Sequence, residues 1–174
     1  MPRPSQRDRI LDAYTDLVVT SGPDTVTLDA VATAAGVSKG GLLYHFGSRE
    51  ALLDGLLDRA RELNDADLAT ARAAPEGVAR YYLRTSVDDP AADSAVFRAT
   101  VALIKLATTE PRAAEATRRC LAGWREALTE ELGDPFTADL VATVGDGMYL
   151  RAIVGDSSPG LADATEEVLA MLRR

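Results

Sequence analysis

Cysteine and histidine are almost absent from this chain of 174 residues, which has one of each, Cys120 and His45. A single cysteine excludes an internal disulfide framework, and a zinc site needs more His or Cys ligands than the chain has. No histidine lies near Cys120 in the sequence to activate it as a nucleophile, and no glycine-rich phosphate loop is present. We therefore expect no metal, no cofactor and no enzyme.

Long apolar runs are also missing. No stretch of 18 residues is apolar, and the start MPRPSQRDR lacks the apolar core of a signal peptide. Aromatic residues make up 5% of the chain, and long period-two runs of Val, Ile and Thr do not occur, whereas alanine and leucine are frequent. The composition predicts an all-α protein that is soluble and cytoplasmic, with no membrane partner.

The net charge of −8 argues at first against a nucleic-acid partner, but its distribution is uneven. Residues 1–50 carry five basic and six acidic side chains, and the remainder carries 14 basic and 21 acidic ones. The N-terminal segment is thus close to neutral, and the acidic part of the chain would be kept away from phosphates. This pattern is compatible with DNA binding.

The stretch TLDAVATAAGVSKGGLLYHF, residues 27–46, has the pattern of two short helices joined by a tight turn. Thr27 and Ser38 are candidate N-caps, and Gly36 can adopt the left-handed backbone that ends a helix. In the second helix Leu42 and Phe46 are four residues apart and should pack inward. The pattern is typical of a helix-turn-helix, whose second helix enters the DNA major groove.

Apolar periodicity and breakers predict about nine helices in all. We expect them over residues 5–21, 28–35, 39–46, 48–72, 75–87, 92–108, 112–132, 135–154 and 161–172. Pro75 suits a first helical position, and Asp88-Asp89-Pro90 should end the fifth helix. The organisation that we predict is an N-terminal DNA-binding domain over residues 1–47 and a C-terminal helical domain over residues 48–174.

The motif GVSKGGLLYHF, followed by SREALL, resembles the N-terminal domain of TetR-family transcriptional regulators over roughly residues 5–60. The resemblance implies a homodimer of all-helical subunits, each with a three-helix DNA-binding domain and a larger ligand-binding and dimerisation domain. By position it implies that Thr27 and Arg49 contact phosphates. The operator-facing residues that it implies are Ser38, Lys39, Gly40, Gly41, Tyr44 and His45.

Two positions depart from the family pattern. Leu43 stands where the family usually has tyrosine, so a phosphate-contacting hydroxyl is replaced by an apolar side chain that can touch a thymine methyl. Asp29 stands where many members have a basic residue, and an acid can accept a hydrogen bond from a cytosine amino group. Asp29 together with Tyr-His-Phe-x-Ser-Arg resembles a multidrug-responsive subgroup of the family.

Beyond residue 60 the resemblance is one of helical layout. It implies that the last two helices form the dimer interface, where Gly147 would permit close approach of a partner helix. It also implies a ligand cavity among the fourth to eighth helices. Because such cavities are mostly apolar and aromatic, the candidate lining residues are Phe97, Leu103, Trp124, Met148 and Tyr149.

The function that we expect is a cytoplasmic, nucleoid-associated repressor that binds a palindromic operator in double-stranded DNA as a homodimer. A small apolar or amphipathic effector would release it. Two alternatives stay open: an activator or co-repressor-dependent regulator of the same fold, and a helical small-molecule-binding protein that does not bind DNA.

Overall fold

The structure, a computed structural model, describes residues 5–156 and 165–172. Those residues form nine α-helices, one short 3-10 helix (Pro23–Thr25) and no strand, which confirms the all-α prediction. No helix in the described ranges is long and apolar enough to cross a membrane. The α-helices are α1 (Gln6–Ser21), α2 (Leu28–Ala35), α3 (Lys39–His45), α4 (Arg49–Ala73), α5 (Val78–Ala92), α6 (Ala95–Ala107), α7 (Pro111–Leu132), α8 (Pro135–Ile153) and α9 (Thr165–Leu172).

The chain divides into two compact units, of which the first contains the chain up to Leu63 together with Arg98–Thr117. Its core consists of large aliphatic side chains from α1 to α4 and α6, packed around Phe46. Gly55 of α4 lies directly against that ring, because a Cβ atom at Gly55 would be 2.6 Å from Phe46 Cε1. The core residues include Ile10, Leu11, Val18, Val31, Leu42, Leu52, Leu56 and Leu106.

The second unit contains Asn64–Phe97 and the chain from Arg118 onward. In it α5 packs along α8, and α9 contacts both helices. Gly145 permits the close approach of α5, because a Cβ atom there would be 2.5 Å from Tyr82 Cε1. The buried side chains of this unit include Val78, Tyr82, Leu83, Trp124, Leu128, Val141, Met148 and Leu169.

The start predicted for the fifth helix, at Pro75, is wrong. Helix α5 begins at Val78, after Gly77, which has a φ of 87°. The backbone N–H of Val78 donates to the carboxylate of Glu131, at the end of α7, so an acid from a distant helix caps α5. Because Glu131 is 53 residues from Val78, the sequence around Val78 contains no pattern that predicts this cap.

The predicted end of that helix before Asp88 is also wrong, because α5 continues through Pro90 to Ala92. Asp93 then adopts a left-handed conformation with a φ of 48°, and the N–H of Ser94 donates to Asp89 O at 3.1 Å. Proline in a helix removes one intrahelical hydrogen bond, and here the helix ends two residues later. The other predicted helices lie within a few residues of their positions, although residues 161–164, where the last one was predicted to begin, fall outside the described residues.

Candidate DNA-binding and effector-binding sites

The outward face of α3 is determined by the two apolar side chains that anchor it. Leu42 is fully buried and Phe46 is 3% exposed, as their spacing predicted. Tyr44, on the opposite side of the helix, is 87% exposed, and Leu43 is 38% exposed. A tyrosine with this exposure makes little contact with its own chain, so its ring and hydroxyl are available to another molecule.

The predicted caps place the N-terminal ends of α2 and α3 at the surface. Thr27 Oγ1 accepts a hydrogen bond from the N–H of Ala30 at 3.1 Å, and Ser38 Oγ accepts one from Gly41 at 3.0 Å. Both caps are confirmed. Each hydroxyl keeps its own proton for donation, and each helix N-terminus favours an anion such as a phosphate.

The two glycines of α3 differ in their surroundings. A Cβ atom at Gly41 would lie 3.2 Å from Ser38 Oγ and 3.5 Å from Gln6 Nε2. At the exposed Gly40 the nearest such atom is Ser38 Oγ at 4.0 Å. Packing within the chain therefore does not require glycine at position 40. Close approach of another molecule to this position would require it.

The basic residues near this surface make contacts with the chain itself. Lys39 Nζ lies 2.9 Å from Asp29 Oδ2, and both side chains are more than half exposed. Arg49, the first residue of α4, donates from Nη2 to Pro23 O at 3.4 Å. The structure thus places Lys39 on the surface of the helix-turn-helix, but it also joins the lysine to an acid.

Sequence reasoning missed one residue of this surface, Gln6. Its Oε1 lies 3.3 Å from His45 Nε2, within hydrogen-bonding distance, and its amide borders Gly41. The rings of His45 and Tyr44 meet edge to face, with centroids 5.3 Å apart. Gln6 is 39 residues from His45 in the chain, so only folding brings α1 beside α3.

A second group of functional candidates, in the other compact unit, surrounds Trp124. The ring of Trp124 lies 4.9 Å from that of Tyr82 and 6.4 Å from that of Tyr81, measured between centroids. Its Nε1 donates to Asn64 Oδ1 at 3.1 Å, which satisfies the buried N–H of the indole. Trp124 is 8% exposed.

Both tyrosines of this group donate hydrogen bonds to carboxylates. Tyr81 donates to Asp67 at 2.5 Å, and Tyr82 donates to Asp146. Loss of hydration raises the pKa of Asp67 and of Asp146 above their usual values, although the hydrogen bonds from the phenols partly oppose this. No basic side chain of the described residues forms an ion pair with Asp146.

A cleft of about 400 Å³ opens beside Trp124 and Asp146. Its wall combines aromatic, aliphatic and charged side chains: Tyr82, Leu121, Trp124, Arg125, Asp139, Ala142, Thr143 and Asp146. Arg125 and Asp139 pair with each other, whereas Asp146 has no cationic partner among the described residues. The space is at the lower end of the range for small-molecule sites.

The residues predicted to line a ligand cavity do not form one group. Trp124 lines the cleft. Phe97 and Tyr149 contact each other, with ring centroids 5.4 Å apart, and Met148 is buried in the core of the second unit. Leu103 is buried in the first unit. Tyr82, Leu121 and Asp146 were not predicted, because hydropathy alone does not distinguish cleft from core.

Two family models match the chain, one for each part of it. Residues 10–63 match the N-terminal model of the bacterial regulatory proteins of the tetR family, and residues 76–174 match the tetracyclin repressor-like C-terminal domain. The chain belongs to the TetR family of bacterial transcriptional regulators. The resemblance inferred from GVSKGGLLYHF is therefore confirmed.

Curated relatives of this TetR-family regulator include the HTH-type transcriptional regulator BetI of Klebsiella pneumoniae. The two sequences are 28% identical over 163 residues, which cover 86% of this chain and 83% of BetI. The regulator AlkX of Mycobacterium tuberculosis is 45% identical, but over 49 residues, which cover 28% of this chain and 23% of AlkX.

Solved structures of the family have the same fold as this regulator. The multidrug binding protein EbrR, in complex with malachite green, has a TM-score of 0.77 and 26% identity, and the match covers 97% of this chain and 98% of EbrR. A TetR-family member from Streptomyces coelicolor has a TM-score of 0.72 and 28% identity, with coverage of 97% and 98%.

Replacing Gly40 with alanine should change stability and DNA affinity in opposite directions. Open space surrounds a Cβ atom at this position, so alanine should stabilise α3 by up to about 1 kcal/mol. If the glycine allows DNA to approach, the same methyl group should weaken DNA binding several-fold. Thermal melts and fluorescence-anisotropy titrations measure the two effects.

The matched control is Gly123→Ala in α7, where the new Cβ would make an ordinary contact of 3.5 Å with Leu68. It should gain similar stability and leave DNA affinity unchanged. A Gly40→Ala variant that binds DNA as tightly as the unmodified chain would contradict the close-approach interpretation.

Proposed function

We propose that this TetR-family regulator is a dimeric repressor that binds a palindromic operator and is released by a small organic cation. The observation that carries the proposal is the outward face of α3. Leu42 and Phe46 are buried on one side, while Gly40 and Tyr44 are exposed on the other and Lys39 is exposed at the N-terminal end of the helix. A helix presented in this way can enter a major groove.

The contacts that we propose fall into two groups. Thr27, Lys39 and Arg49 would hold phosphates, while Leu43, Tyr44 and His45 would reach base edges or adjacent phosphates. Ser38, Gly40 and Gly41 would bring the N-terminal end of α3 close to the groove. Because residues 1–50 carry only five basic side chains beside six acidic ones, affinity must depend on these few placed contacts and cannot come from a broad basic surface.

Substituting Lys39 and Tyr44 separately tests the DNA-binding proposal. Lys39→Ala should weaken binding to all sequences and make affinity less dependent on salt, because a phosphate contact is lost. Tyr44→Ala should weaken binding and also relax sequence preference. Both are measured by anisotropy titration of operator and random duplexes at several salt concentrations. If neither substitution alters operator binding, the assignment of the DNA-binding surface is wrong.

The proposed dimer rests on an exposed apolar stripe along α8 and its C-cap residue, Val154. Phe136, Leu150 and Val154 are 70%, 59% and 71% exposed, although they are large and apolar. Gly147, Leu150 and Val154 are separated by three and four residues, the spacing of residues in a helix-packing seam, and Phe136 lies on the same side of the helix. A Cβ atom at Gly147 would meet nothing within 4 Å. Met171 of α9 adds a further exposed apolar side chain, 64% exposed. A second copy of the chain is the partner that we propose for this face.

Leu150→Glu should dissociate the dimer. Burying a carboxylate against a partner helix is costly, so the dimer dissociation constant should rise at least about tenfold. Leu121→Glu is the matched control, because Leu121 is also partly exposed, at 41%, but lies on α7. Sedimentation equilibrium distinguishes the outcomes, and a Leu150→Glu chain that remains as dimeric as the control would contradict the proposed interface.

The effector class follows from the cleft beside Trp124. The carboxylate of Asp146 is partly desolvated and accepts a hydrogen bond from a neutral phenol, and no described basic side chain pairs with it. A cationic ligand would provide the positive partner for this carboxylate. The rings of Trp124 and Tyr82 offer apolar and cation–π contacts to the rest of such a molecule. The multidrug-binding EbrR in complex with malachite green supports a small-molecule effector in this fold.

A charged and a neutral ligand of equal shape test this class. Phenyltrimethylammonium should bind more tightly than its neutral isostere tert-butylbenzene, by roughly fivefold for one charge contact in a half-open site. Trp124, the only tryptophan in the chain, reports binding through its fluorescence.

In this titration Asp146→Asn should remove the preference for the cation, because asparagine can still accept the Tyr82 hydrogen bond but carries no charge. Asp156→Asn, which removes an acid outside the cleft, should retain the preference. Equal affinities for the two ligands in the unmodified chain would contradict a cationic effector.

Release of DNA requires that the effector bind the DNA-incompetent state more tightly, since equal affinity for both states shifts nothing. Helix α4 is the element through which we propose that this difference is transmitted. It begins at Arg49, next to the DNA-binding motif, and its later residues Asn64 and Asp67 accept hydrogen bonds from Trp124 and Tyr81. Tighter DNA binding on addition of effector would favour a co-repressor mechanism instead.

A further inference from the structure

The helix-turn-helix contains one acid and one lysine, and the structure joins them. Between residues 27 and 46 the acid is Asp29 and the lysine is Lys39. Lys39 Nζ lies 2.9 Å from Asp29 Oδ2, with 57% and 68% of the two side chains exposed. The fixed charge of residues 27–46 is therefore balanced within the motif itself.

The position of the pair follows from the caps of the two helices. Thr27 is the N-cap of α2, so Asp29 is the second residue of that helix. Ser38 is the N-cap of α3, so Lys39 is the first residue of α3. A carboxylate is favoured in the first turn of a helix, which favours Asp29 at its position in α2. The ion pair bridges the two helix ends that would approach phosphates.

An exposed ion pair of this kind is weak, but it has two effects on DNA binding. It reduces the attraction between Lys39 and any phosphate, which lowers affinity for DNA of every sequence. It also restricts the long, flexible side chain of Lys39 to one direction. Less conformational entropy is then lost when Lys39 contacts a DNA group that lies in that direction. The first effect acts on all DNA, whereas the second favours a duplex whose sequence-dependent backbone shape places a phosphate where Lys39 is held.

We propose that Asp29 is a positioning residue that increases operator selectivity by holding Lys39 in place. The inference rests on the proposed DNA-binding function and goes beyond it, because it assigns a role to an acid in a surface that binds an anion. Removal of the Asp29 carboxylate would free Lys39 to contact any phosphate. Binding to random DNA would then gain more than binding to the operator.

The test compares Asp29→Asn with the unmodified chain, using an operator selected from a random pool and a random duplex of equal length. Asp29→Asn should increase affinity for the random duplex several-fold and steepen its salt dependence by about one unit per helix-turn-helix. The ratio of operator to random affinity should fall at least threefold. Asp29→Glu should restore the ratio, because it retains the carboxylate.

Two further variants show whether Asp29 acts through Lys39. In a Lys39→Gln background, Asp29→Asn should leave the affinity ratio unchanged, because the partner that it positions is absent. Asp24→Asn removes an equal charge from a nearby exposed acid and should also leave the ratio unchanged.

Three results would overturn the inference. The first is an Asp29→Asn variant that keeps the full ratio of operator to random affinity. The second is an Asp29→Asn substitution that lowers this ratio as much in the Lys39→Gln background as in the unmodified chain, since Asp29 would then contact a base itself. The third is an Asp24→Asn variant with the same effect. If the unmodified chain has no salt-dependent affinity for any DNA, the proposed DNA-binding function fails as well, and this result is distinct from the others.

Discussion

The burial of Leu42 and Phe46 is the constraint on which the DNA-binding surface depends. These side chains lie one helical turn apart, and burial of each contributes roughly 1.5–3 kcal/mol to stability. Because both point into the core, the other side of α3 must face outward, with Tyr44 at its most exposed point. Gly55 allows α4 to lie against the Phe46 ring, so even a methyl group there would disturb the anchor of α3.

A helix-turn-helix with so little net charge would bind DNA through a different balance of forces than a strongly basic DNA-binding motif. Counterion release provides generic affinity in proportion to the phosphates neutralised, and here few cations are available for it. In the proposed complex, affinity would then come from shape, from close approach at Gly40 and from a small number of directed contacts. The role proposed for the Asp29–Lys39 pair fits this balance, because the pair would reduce generic attraction to phosphates while holding the lysine in one direction.

The helix-turn-helix could be predicted from sequence because its signals are local. Thr27, Gly36 and Ser38 determine the helix ends within a few residues of themselves, and the spacing of Leu42 and Phe46 determines the buried side. The limits of α5 could not be predicted in this way. Its N-terminus is capped by Glu131, and its C-terminus is closed by Asp93 in a conformation more usual for glycine.

The candidate sites show the same division between local and distant signals. Lys39 and Tyr44 follow from the motif, whereas Gln6 reaches α3 only through the fold. Trp124 was predicted as a lining residue from its chemistry, but Asp146 was not, because its role depends on Tyr82 and on the cleft that folding creates. Phe97 and Tyr149 are aromatic like Trp124, and yet they do not line the cleft.

Selection of bound duplexes from a random DNA pool tests whether the protein binds as a dimer with two α3 helices in successive major grooves. Such a dimer should enrich a two-fold symmetric sequence whose half-site centres are about 10 base pairs, or a multiple of that, apart. Recovery of sequences with no common motif, or of a single half-site without a symmetric partner, would contradict it.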